Sequence, residues 1–302
     1  MKQSVTFPHE YYNLAGILFL PDDFNEKETY PAIVISAPAG AVKEQSPSFY
    51  AEKLAKKGWI SLVFDTSYQA ESGGNIRYVE NPNIRVEDVK RAVDFLTTLP
   101  YIDNNRIGAL GICSGGGYVF NAAMTDRRIK AIAGASISDP ASWMRDGMSG
   151  EFTLDMQLAL LEEASNQRTI EANGGEPKYS NYVPEEVTEG MANTLVEAHD
   201  YYRTERAFHP RSENKVSMAS IEKLFAFDTF HFTDRYLTQP ILMIAGSKAD
   251  TIAYSKNLYQ KAASTSKELF IIEGATHVDL YDKDEFVDQA IEKLDQFFQE
   301  NL

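Results

Sequence analysis

Between Arg106 and Tyr118 the chain reads RIGALGICSGGGY, an apolar run that ends in a glycine-flanked turn and continues as a helix. Such a segment leaves the backbone little freedom. A strand that turns sharply into a helix holds the residue at the turn in a strained conformation. The positions two before and two after it must be small, because a side chain there would collide with the adjoining strand and helix. Gly111 and Gly115 meet that demand around Cys113. In the competing register, centred on Ser114, the flanking residues are Ile112 and Gly116, and β-branched Ile112 is a poor fit. The layout is that of a nucleophile elbow, G-x-Nuc-x-G, with Cys113 favoured over Ser114. Glycine-rich turns also join strands to helices without chemistry, and a lone cysteine is often a small buried apolar residue. Partners elsewhere in the chain decide between these readings.

Around this segment, apolar runs of strand length alternate with helical patterns. Ser4 to Phe7 and Leu14 to Leu20 read as an antiparallel pair at a sheet edge, and Ala32 to Ser36 and Ile60 to Asp65 as buried strands. Helices are expected over Phe49 to Lys57, closed by Gly58, and over Arg85 to Leu99, with Val86, Val89, Val93 and Leu96 on one face. After the elbow come the helix Gly115 to Thr125 and the strand Ile129 to Ser136. Near the C-terminus, strands beginning at Pro240 and Glu268 flank a helix over Ser255 to Ala263, and Phe286 to Gln299 forms a last helix. This alternation predicts an α/β fold, a mostly parallel sheet with helices on both faces.

Two of the late strands lead into residues suited to chemistry. Pro240 to Ala245 is followed by Gly246-Ser-Lys-Ala-Asp250, and Glu268 to Ile272 by Glu273-Gly-Ala-Thr-His277. Cys113, Asp250 and His277 thus each lie just past the C-terminal end of a strand, where open α/β sheets place their ligands. Their order, nucleophile then acid then histidine, is that of the α/β-hydrolases. A thiol must lose its proton to attack a carbonyl. His277 would take that proton and later return it to the leaving group, and Asp250 would orient the imidazole and stabilise its cation. Asp279 and Asp282 are fallback partners for His277. The oxyanion of a tetrahedral intermediate needs backbone donors. Ser114, the residue after the nucleophile, supplies one. Ala39 or Gly40 supplies the other from the loop after Ala32 to Ser36, because Pro38 has no N–H. Lys43-Glu44-Gln45 beside this loop could position it by charge pairing, a solvated helix start being the alternative. Tyr68, following a strand at the same sheet end, is a candidate pocket residue.

These residues resemble the dienelactone hydrolase-like branch of the α/β-hydrolases, with an elbow reading G-I-C. Further segments carry the resemblance: Val42-Lys-Glu-Gln45, Phe64-Asp-Thr-Ser-Tyr-Gln69, Glu71-Ser-Gly73, Arg85-Val-Glu-Asp88 and Thr276-His-Val-Asp-Leu-Tyr-Asp282. The resemblance covers nearly the whole chain. It implies an α/β-hydrolase fold and a Cys-His-Asp triad at Cys113, His277 and Asp250. Relatives often carry His-Pro where this chain has Ala37-Pro38, and often a serine where it has Gly115.

The alternation breaks between about Asp139 and Leu237. That segment is polar, helical and interrupted by Gly174-Gly175, Pro177, Pro184 and Pro210. It reads as a helical cap inserted at residues 139–237 into a core formed by 1–138 and 238–302. Pro184 is placed to open a helix carrying Val187, Met191, Leu195, Ala198 and Tyr202 at helical spacing. Caps shape a substrate pocket and exclude water. The aromatic residues here, Trp143 among them, suit either an apolar pocket or a small core of the cap, and an aromatic cap surface could also meet a second copy of the chain in a homodimer.

At 302 residues the chain can bury a large core. A formal net charge of -15 disfavours nucleic acid and anionic membrane surfaces as partners. No histidines have metal-ligand spacing, and Gly115-Gly116-Gly117 lacks the Lys-Ser/Thr of a P-loop, so neither metal nor other cofactor is expected. One cysteine, no run long enough to span a bilayer and no apolar leader make the cytoplasm the expected compartment. The expected activity is cleavage of a carboxylic ester, lactone or thioester of a small-molecule acyl substrate through an acyl-enzyme. Transfer of the acyl group to an alcohol or amine is the first alternative. A hydrolase-like binding protein without catalysis is the second. The last is discriminated by whether Asp250 and His277 reach Cys113.

Overall fold

The structure is a computed structural model that describes every residue except Ser149. Its centre is an eight-stranded sheet. The strands are β1 (Lys2–Pro8), β2 (Asn13–Phe19), β3 (Tyr30–Ser36), β4 (Ile60–Phe64), β5 (Ile102–Ile112), β6 (Ile129–Ala135), β9 (Ile241–Gly246) and β10 (Lys267–Ile272). A separate hairpin, β7 (Tyr179–Asn181) with β8 (Lys215–Ser217), completes the set. The sheet order is β1-β2-β4-β3-β5-β6-β9-β10. From β4 to β10 neighbouring strands are parallel, while β1 and β2 form the expected antiparallel edge. The central parallel strands β3 and β9 are almost wholly apolar because helices cover both of their faces, whereas β5 carries the polar run Asp103 to Arg106 near its start.

One face is covered by α1 (Ser46–Ala55) and α11 (Asp284–Asn301), whose Tyr50, Leu54, Ile291, Leu294 and Phe298 pack with Ile33, Ile35, Val63 and Leu110. The other is covered by α2 (Pro82–Thr97), α3 (Ser114–Thr125) and α9 (Ile252–Lys261), whose Val89, Val93, Val119, Phe120 and Leu258 pack with Val34, Leu62 and Ala109. Several helices start earlier than their apolar stripes suggest. Pro47 and Pro82 sit in the first turns of α1 and α2, where a missing N–H costs nothing.

Between β6 and β9 lie α4 (Pro140–Asp146), α5 (Leu154–Ala172), α6 (Asn193–Arg203), α7 (Ile221–Phe225) and α8 (Thr233–Tyr236), together with the β7–β8 hairpin. We refer to this insertion as the cap. Pro184 opens no helix. The helix starts only at Asn193, and Val187 is exposed on the irregular segment before it. Phe230 and Leu237, near the end of the insertion, pack into the apolar layer under α2, α3 and α9. The short helix α10 (Asp279–Asp282) follows β10. Among the described residues, no helix is long and apolar enough to cross a membrane.

The chain leaves β3 toward β4 on one side, and β5 then lies on the other side of β3. The loops after β3 and β5 therefore flank a topological switch point, the crevice where such sheets bind ligands.

Candidate active site

Cys113 stands between β5 and α3 with φ 55° and ψ -123°, a backbone conformation rarely adopted by a residue with a side chain. Three backbone bonds hold it there. Its N–H donates to Ala135 (3.0 Å), and its carbonyl accepts from Gly116 (2.9 Å) and Ser138 (3.0 Å). The flanking glycines are obligatory. A Cβ on Gly111 would lie 2.3 Å from the Gly115 carbonyl oxygen, and one on Gly115 would lie 2.3 Å from that of Ser36. The strain thus belongs to Cys113 and not to Ser114, which has entered α3 as its first residue. The Ser114 N–H is one of those that a helix cannot satisfy internally.

His277 is fully buried, and its backbone carbonyl is fixed by the Ser136 hydroxyl at 2.9 Å. Its ring interacts with the Cys113 thiol. Burial pushes that thiol up. The charge of His277, with hydrogen bonds involving His277, Tyr281 and Ser138, outweighs burial and brings the thiol down to about 7. Ser138 Oγ lies 3.6 Å from Cys113 Sγ. Tyr281 Oη lies 3.2 Å from His277 Nε2, so one phenol touches both members of the pair. Neither Ser138 nor Tyr281 is anticipated by motif. The one available signal for Tyr281 was its position four residues after His277, on the same face of a helical turn.

Asp250 does not meet His277. It is exposed, and its carboxylate accepts from the backbone N–H (3.0 Å) and the hydroxyl of Thr194 in α6. The expected triad contact is taken by the next residue. The Thr251 hydroxyl lies 2.5 Å from His277 Nδ1. The physical reason lies in α6. The residue at its N-terminal capping position is Ala192, which makes no side-chain capping bond, so the helix draws a carboxylate from the core. The fallback acids are engaged too. Asp279 accepts from the Thr276 N–H at 3.1 Å and pairs with Lys283 at 2.5 Å, and Asp282 pairs with Arg206 at 2.5 Å.

A cavity of about 510 Å³ opens over Cys113 and His277. Ala39 and Ser114 both line it, at the two places expected of oxyanion donors. Gly40 does not line it. Its φ of 72° turns the backbone under Asn214, and its carbonyl accepts from the Ser212 hydroxyl at 2.7 Å. Trp143 lines the cavity, joined by Met144, Phe152, Met191, Leu195 and Leu224 from the cap. Tyr68 does not. With φ 69° its ring packs beside Tyr12, 5.8 Å between centroids, and lies against Gly74. The other histidines lie elsewhere: His9 is against Asp88, His199 against the Glu185 carbonyl, His231 is exposed beside Asp228, and His209 accepts from the Arg211 N–H.

The loop after β3 is held by buried charge. Arg85 donates to the Ala37 carbonyl at 3.0 Å and pairs with Glu80, which also accepts from the Tyr118 hydroxyl at 2.6 Å. Lys43 is buried, with its Nζ 2.7 Å from Asp65 and 3.0 Å from Glu44, and its N–H donates to Asp65. Charge pairing beside the loop is therefore present, and Lys43 is not a solvated residue. Paired, hydrogen-bonded charges of this kind fix geometry more surely than they add stability.

The family model for serine aminopeptidase, S33, a hydrolase family, matches residues 48–284. The chain belongs to that family. It is 42% identical over 290 residues to the uncharacterized protein YcjY of Escherichia coli K12, covering 96% of this chain and 95% of YcjY. The crystal structure of the hypothetical protein PA2218 from Pseudomonas aeruginosa is 38% identical, with a TM-score of 0.94 over 100% of this chain and 94% of that one. A protein named thiohydrolase from Eupenicillium brefeldianum is 26% identical over 278 residues, covering 90% of this chain and 87% of the relative. The α/β-hydrolase fold expected from the sequence is thus the fold of the family.

Proposed function

We propose that this hydrolase cleaves carboxylic thioesters or esters by way of an acyl-enzyme on Cys113. The observation that carries the reading is a strained cysteine, its thiol held near pH 7 by His277, at the base of a largely apolar cavity. The thiolate attacks the acyl carbonyl carbon. The N–H groups of Ser114 and Ala39 receive the developing oxyanion. Collapse of the intermediate breaks the bond to the leaving thiolate or alkoxide, which takes its proton from His277 Nε2. Water then attacks the thioester, His277 takes the water's proton, and the Cys113 thiolate departs.

The name of the thiohydrolase relative supports thioesters as one substrate class, and the lining of Met144, Phe152, Met191 and Leu195 suits an aliphatic acyl group. Ser114 is the weaker nucleophile because its backbone is helical and His277 acts on its neighbour. The test is turnover of p-nitrophenyl esters and acyl thioesters by wild type and Cys113→Ala, with added alcohols or amines as competing acceptors. Turnover abolished in the variant supports the reading. Unchanged turnover would move the chemistry to Ser114 or away from the elbow. Product that appears only with an added acceptor would make the protein an acyltransferase.

A further inference from the structure

We propose that Thr251, not Asp250, is the residue that positions His277, and that Asp250 is a latch holding the cap on the core. This inference deepens the proposed function and rests on the Cys113–His277 pair.

Two missing capping bonds carry it. Thr251 occupies the N-terminal capping position of α9, a place where threonine normally binds the helix's own N–H groups. It makes no such bond, and its hydroxyl lies 2.5 Å from His277 Nδ1. Meanwhile the capping position of α6 is Ala192, which has nothing to cap with, and Asp250 supplies the carboxylate. Each side chain is thus used away from its own helix. One turn after β9 aims two consecutive residues at two different targets. Thr251 is buried at 4% exposure, facing the imidazole, while Asp250 is exposed and faces the cap. Thr194, the residue that Asp250 grips, itself lines the cavity. The latch therefore sits where the cap meets the site.

The chemistry follows from donors and acceptors. When His277 is protonated, its Nδ1–H donates to Thr251 Oγ. That fixes the ring with Nε2 toward Cys113 and Tyr281, the orientation in which the imidazole faces the thiol. A hydroxyl is a neutral acceptor, so this support is weaker than a carboxylate's. The remaining support comes from the hydroxyls of Tyr281 and Ser138 at the thiol. Asp250 acts on substrate entry, because without it the α6 N-terminus loses its cap in place.

The experiment is the pH dependence of Cys113 alkylation by iodoacetamide, read by intact mass. It needs no substrate. Thr251→Val is expected to move the labelling profile to higher pH and slow labelling at pH 7 about tenfold, the size of one hydrogen bond to a charged group. Thr251→Ser is expected to restore the wild-type profile. Asp250→Ala is expected to leave the profile in place, speed trypsin cleavage within residues 139–237 and raise KM for any substrate found. A profile moved by Asp250→Ala, or unmoved by Thr251→Val, overturns the assignment. Should Thr251→Val fail to fold, Asp250→Ala still decides, together with the downfield imidazole N–H proton of His277. That signal is expected to persist in Asp250→Ala, and its loss overturns the proposal. Wild-type protein that labels as described yet turns over no ester or thioester would sink the proposed function and leave this inference standing.

Discussion

The core and the cap obey different rules. In the core, α11 buries Val287, Ala290, Ile291, Leu294 and Phe298 at helical spacing, and the sheet it covers leaves it one orientation. In the cap, α5 is of similar length but buries only Ala164 and Gln167, and it exposes Leu154, Met156, Leu158 and Ile170. It has no continuous apolar stripe, so packing against α7 and its neighbours places it. The core supplies the two proposed reacting groups, Cys113 and His277, from strand ends whose positions the sheet fixes. The cap supplies the walls, among them Trp143, Met191 and Leu195. Chemistry resides where the backbone is over-determined, and selectivity resides where it is not.

The largest effect is expected at the core histidine. His277→Ala should lower kcat about a thousandfold or more with little change in melting temperature, and a loss of folding instead would make the residue structural. Next, Leu294→Ala in α11 should cost about 2–5 kcal/mol of unfolding free energy by denaturant titration. The same truncation of Leu195 in the cap should cost clearly less while changing the preference for acyl-chain length. Equal costs would erase the distinction between the two regions. Third, the thiol near pH 7 means that alkylation should climb about fivefold between pH 6 and pH 7 and level off above pH 8. In His277→Ala the climb should move to higher pH, because the cationic partner is lost. Smallest, Tyr281→Phe removes one hydroxyl from the thiol and should raise its pKa, slowing turnover several-fold at pH 7.

Much of the core could be read from the sequence, because its signals are steric. Gly111 and Gly115 announce an elbow since no other residue fits beneath it, and the apolar strands and the α11 stripe follow from burial on two faces. Cys113, His277, Ser114 and Ala39 fall on the cavity for that reason, and Trp143 joins them from the cap. The misses share a different cause. A positive φ at Tyr68 and at Gly40 turned each away from the site, and such turns leave little mark on residue type. Asp250 is the acid that chain order suggests, on the loop after the strand that precedes the histidine strand. Yet the turn after β9 points Thr251 inward, and a helix starting near Ala192, distant in sequence, claims the acid. The cap helix expected from Pro184 begins only at Asn193, and Val187 is left exposed on the segment before it. In each case the deciding contact is tertiary.

The most direct test of the account is intact-mass analysis of enzyme quenched during turnover of an acyl thioester, followed by peptide mapping of the adduct. The account predicts an acyl group added to the wild-type protein, located on Cys113, and absent from Cys113→Ala. An adduct on Ser114, or turnover that persists in Cys113→Ala, would contradict it.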